Sequence, residues 1–144
     1  MKNLKTKSVN AVICWNGLRN TPPRDFSSVD EMEKTGDILE ALKESSPKLT
    51  EVLLEGERLN NDIQTGKIKQ ADIQKAREDF QKRANEIESD DGEKEVEISF
   101  EDDVFNTFFQ QFERFGKNWF QKLTLYLSFR KDLNKTNQQP KEKK

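Results

Sequence analysis

The segment from Asp103 to Leu133 constrains this chain more than any other stretch. Within it Val104, Phe105, Phe108, Phe109, Phe112, Phe115, Trp119, Phe120, Leu123, Tyr126, Leu127 and Leu133 recur at steps of three and four, the period of a helix with one apolar face. Seven of the ten Phe, one of the two Trp and the only Tyr fall here. Aromatic side chains dominate what a chain can bury. The spacing therefore predicts one long helix over 103–133, with the rest of the chain packed around it.

What the chain lacks narrows its chemistry. Histidine is absent, which removes imidazole general bases, Ser-His and Cys-His nucleophile pairs and the commonest zinc ligand. The single cysteine, Cys14, lies in the apolar run Val9–Trp15, so it forms neither an intrachain disulfide nor a thiolate cluster and reads as a small core residue. Thr65-Gly66-Lys67 lacks the upstream glycine and the following hydroxyl residue of a phosphate loop, and Glu88, Asp90, Asp91 and Glu93 do not have calcium-loop spacing. Lysine- and carboxylate-based chemistries survive these exclusions. No catalytic residue, cofactor or metal ligand is assigned, and the chain reads as non-enzymatic.

Hydrophobic residues make up 32% of the chain and charged residues 36%. No run approaches the roughly 18 to 20 apolar residues of a membrane helix. Lys2, Lys5 and Lys7 precede an apolar run too short for a signal peptide, and no small-residue cleavage site follows it. A cytoplasmic protein without a membrane partner is the expectation.

Along the chain, residues 1–24 place Leu4, Ala11, Trp15 and Leu18 on one helical stripe, with a short strand over Val9–Trp15 as the alternative. Asn16-Gly17 and Thr21-Pro22-Pro23 end it. Ser28 and Glu31 have capping-box spacing before a helix from Val29 to Lys43. Ser46-Pro47 starts another helix, which Gly66 stops, and Lys67–Glu88 resumes the pattern, so the two segments read as an antiparallel hairpin with narrow apolar stripes. Glu95–Phe100 alternates as a strand, with Val96, Ile98 and Phe100 on one side. Its only evident partner is Val9–Trp15. Asp102 or Asp103 is positioned to cap the aromatic helix.

The fold expected is mainly α: a small bundle with a helical hairpin, one long aromatic-rich C-terminal helix and a short two-stranded β element if the N-terminal segment is strand. Residues 1–133 form one domain, followed by a disordered polar tail over 134–144.

Charge is segregated. Residues 1–24 are net +5, 86–103 hold ten acids against Lys94, and 114–144 hold nine bases against Asp132 and Glu142. The basic ends allow contact with nucleic acid, or pairing with the acidic middle within or between copies. The aromatic stripe is wider than the hairpin stripes, which leaves a face for another protein or for a second copy of this chain. Phe105, Phe108, Phe112, Phe115, Trp119 and Tyr126 are the expected anchors of that face, because aromatics dominate interface energetics. The heptad-like spacing of 105, 108, 112, 115 and 119 favours self-association.

Asn10-Ala11, Leu18, Pro22-Pro23, the polar hairpin and Glu95-Val96-Glu97-Ile98 together resemble the layout of small uncharacterised proteins encoded by tailed bacteriophages. The resemblance spans about residues 8–100. It implies a phage or prophage origin, with a host-factor inhibitor or an assembly component as the role, and it carries over no functional residue.

Overall fold

The computed structural model describes residues 1–139. The chain runs β1 (Lys2–Lys7), α1 (Ser8–Arg19), α2 (Val29–Ser45), α3 (Pro47–Gln64), α4 (Ile73–Asp91), β2 (Glu95–Phe100), α5 (Asp102–Trp119) and α6 (Leu123–Asn137), with short 3-10 turns at Pro23–Asp25 and Gln70–Asp72. It is a mainly α bundle with one two-stranded antiparallel sheet. No helix among the described residues is long and apolar enough to cross a membrane.

The β2 strand forms where its alternation predicts, but its partner is Lys2–Lys7 and not Val9–Trp15, which belongs to α1. The register sets Lys2 opposite Phe100, Leu4 opposite Ile98 and Thr6 opposite Val96. Of the inward residues of β1, only Leu4 is apolar. Lys2 and Thr6 are buried because α6 lies against β1 and supplies polar partners. Lys2 Nζ donates to the carbonyls of Asn137, at 3.1 Å, and Gln139, and Thr6 Oγ1 donates to Asp132 Oδ2 at 2.8 Å. A cation on the last carbonyls of a helix also suits its dipole. The chain then passes directly into α1, whose first amides, Ser8 and Val9, donate to the carbonyls of Lys94 and Gly92.

The expected single helix over 103–133 is two helices. Phe120 (φ −100°, ψ 126°) and Lys122 (φ −109°, ψ 126°) adopt extended backbone between α5 and α6. A straight helix of that length would measure about 46 Å, against a globule about 38 Å across for 144 residues. Folding back lets the stripe cover itself. Phe112 lies 5.3 Å from both Tyr126 and Phe129 between ring centroids, and Phe120 lies 5.7 Å from Phe129. Such pairs contribute about 0.5–1.5 kcal/mol each beyond the area they bury, which offsets the backbone bonds lost at the break. Gly116 permits this packing, since a Cβ there would stand 2.5 Å from the Phe112 ring.

The aromatic helix is clasped by α2 and α1, not by the α3–α4 hairpin. The hairpin forms as expected, and Gly66, just past the end of α3, turns the chain at φ +78°, a conformation glycine adopts without strain. Phe80 packs onto Gly56 and Arg83 pairs with Glu55 across it. Only Ala84 of α4 is buried, as its narrow stripe predicts.

Three caps differ from expectation. Ser28 does cap α2, accepting from Glu31 N at 3.1 Å, but Glu31 returns to Ser27 N at 2.6 Å. Ser46 does not cap α3 with its side chain, because its hydroxyl is engaged by Ser8 at 2.6 Å. Asp102 and Asp103 sit in the first turn of α5, where Asp103 Oδ1 accepts from Val104 N, while Glu101 occupies the cap position. The polar tail is ordered through Gln139, whose side chain pairs with both the N–H and the C=O of Asn3. The remainder of the expected disordered tail, 140–144, lies outside the described residues.

Candidate functional site

The six expected anchors separate into two groups. Phe105, Phe108 and Phe112 are buried, joined to Phe100, Phe129 and Trp119 in one aromatic cluster. They are core in the single chain. Phe115, Trp119 and Tyr126 are half-buried. Tyr126 stacks on Phe112, and Phe115 meets Phe26 edge to face and the Arg114 guanidinium at 4.6 Å.

Trp119 stands apart because two clefts meet at it. On one side is an apolar groove of about 270 Å³. Val9, Val12 and Ile13 of α1 form one wall, Leu49, Val52 and Leu53 of α3 the other, and Trp119 and Leu125 the floor, with Glu88, Gln121 and Lys122 at the rim. On the other side is a cleft of about 390 Å³ where the amides of Asn16, Asn20, Asn118 and Gln121 surround Phe115 and Trp119.

The local sequence builds this arrangement. Helix α5 ends at Trp119, so the indole is carried at the break rather than inside the α5–α6 contact. Gly17 of α1 receives it, since a Cβ at that position would lie 2.1 Å from Trp119 Cδ1. Arg19 fastens α1 to α3: its Nη2 bonds both carboxylate oxygens of Glu57, at 2.5 and 2.9 Å, and Asn16 Oδ1 at 2.8 Å, while the guanidinium covers the Trp15 ring at 4.5 Å. Arg19 thus bridges the two helices that wall the groove.

No family model, curated protein or solved structure matches the chain. What the site does must be read from its own chemistry. The groove is apolar and bordered by one acid, Glu88, and one base, Lys122. Cys14 is wholly buried in the core, and burial pushes its thiol well above the usual range, which removes it as a nucleophile. Among the described residues no group of three or more Cys, Asp or Glu is arranged to hold a metal.

A buried polar cluster lies between α2 and α5. Glu31 is 7% exposed and bonds Ser27, Gln111 Nε2 at 3.1 Å and Arg114. Burial works to raise its pKa, but the Ser27 amide, the Gln111 and Ser27 side chains and the Arg114 charge outweigh it, and the carboxyl titrates below its ordinary value. This ties α2 to α5, and Arg114 also holds the carbonyl of Asp25 in the preceding loop.

Sequence reasoning named Trp119 but missed the groove. Its walls come from Val9, Val12 and Ile13, which lie off the predicted stripe of Leu4, Ala11, Trp15 and Leu18, and from Leu49, Val52 and Leu53 on the hairpin's narrow stripe. The available signal was excess: Val9 to Trp15 is apolar on more than one face of a helix.

Proposed function

We propose that the protein is a non-enzymatic protein-protein interaction module that receives an apolar element of a partner in the groove floored by Trp119. The observation that supports this reading is the groove itself, an open apolar surface walled by two helices that the Arg19–Glu57 pair bridges. Phe108 and Phe112 contribute by holding Trp119 in place, Phe105 is core, and the contact surface is Trp119 with Ile13, Leu53 and Leu125. Resemblance in layout to phage-encoded proteins makes a host protein the first partner to seek.

The test compares Ile13→Glu with wild type. Ile13 is half-buried at the groove wall, so a carboxylate there places a charge in the docking surface while retaining access to water. Loss of the co-purifying partner with a near-normal melting temperature supports the proposal. An unchanged partner set, with Ile13→Glu folded, contradicts it.

A further inference from the structure

We infer that the chain also associates with a second copy of itself, head to tail, through the outer face of α2 on one copy and the outer face of α6 on the other. The most exposed large apolar residues after the N-terminal region lie on these two helices: Val29 at 65%, Leu123 at 71% and Leu127 at 48%. Each sits at the N-terminal end of an exposed charged stripe. On α2, Val29 is followed by Glu33, Asp37, Glu40 and Glu44, all exposed and at steps of four, four, three and four. On α6, Leu123 and Leu127 are followed by Arg130, Lys131 and Lys135, also exposed.

None of these seven charged groups is ion-paired among the described residues, although twelve other pairs form among those same residues. The stripes are therefore opposite in sign and uncommitted, and their apolar residues occur at the same end. Aligned in parallel, Val29 meets Leu123 and Leu127 while the acids meet the bases. An antiparallel alignment would set the leucines against Glu40 and Glu44. Gly36, exposed and with open space around its Cα, sits midway along the α2 stripe and allows close approach. The contact is heterologous, so it either closes into a ring or propagates into a chain.

Exposed ion pairs are individually weak and salt-sensitive, so association should be modest and should weaken as salt rises. The experiment is sedimentation velocity of the full chain over a wide concentration range, at low and at high salt. Two variants are compared: Arg130→Glu/Lys131→Glu/Lys135→Glu, with both faces acidic, and Glu33→Lys/Asp37→Lys/Glu40→Lys, with both faces basic. All six positions are exposed, and circular dichroism melting checks that each variant folds. The expected result is salt-sensitive association of the wild type, a monomer for each variant alone, and restored association when the two are mixed. A wild type that remains monomeric at low salt overturns the inference, as does association that either variant retains by itself or a mixture that stays monomeric.

Discussion

The Trp119 indole rests directly on Gly17, so closely that a methyl group at that position would overlap its Cδ1 at 2.1 Å. One backbone-to-ring contact thus positions the residue at which the two clefts meet. Alanine is ordinarily favoured over glycine in a helix by about 1 kcal/mol, but here the overlap decides the sign. Gly17→Ala is expected to displace the indole, lower stability by about 1–3 kcal/mol and shift the tryptophan emission spectrum. Urea unfolding and fluorescence of the variant in a Trp15→Phe background check this.

Phe112 meets the rings of Trp119, Phe120, Tyr126 and Phe129. Its truncation is a core lesion. Phe112→Ala should cost about 3–5 kcal/mol, read as a lowered denaturant midpoint. If stability held while association was lost, Phe112 would be a surface residue and the folded-back arrangement of α5 and α6 would be wrong.

Glu31 contributes to the acid response of the bundle. Its folded-state pKa lies below the ordinary value of 4.5. The stabilisation it provides is therefore complete above that value and is lost as pH falls through the folded pKa. Unfolding free energy measured on both sides of that value should drop on acidification more steeply in wild type than in Glu31→Gln. Parallel pH profiles would show that the Glu31 cluster contributes nothing to the acid sensitivity.

Cys14 should resist alkylation by iodoacetamide in the native state, because the thiol is buried and held protonated. Labelling is expected to track global unfolding, accelerating in urea. Rapid labelling of the native protein would mean that α1 opens locally.

The elements that sequence reasoning recovered are those whose signal is local. Glu95–Phe100 alternates over a whole strand, and Ser28, Pro47 and Gly66 mark helix ends by their own chemistry. The failures came where distant residues supplied the reason. Lys2 and Thr6 face inward only because Asn137, Gln139 and Asp132 receive them, so β1 shows no hydrophobic alternation. The break at Phe120–Lys122 follows from what folding back buries, and the apolar periodicity runs on through it. For the site, Trp119 was legible as an aromatic at helical spacing, whereas the groove beside it forms between α1 and α3, helices bridged by Arg19 and Glu57, residues 38 positions apart.

The account rests most heavily on the groove beside Trp119 being a docking surface. The most direct measurement is photo-crosslinking in cells, with a benzoylphenylalanine placed at Leu125 on the groove floor and, as a control, at Lys82 on the exposed side of α4. The account predicts a discrete crosslinked protein from position 125, absent from position 82 and lost when Ile13→Glu is added. Crosslinks of equal pattern from both positions, or none from position 125, would contradict it.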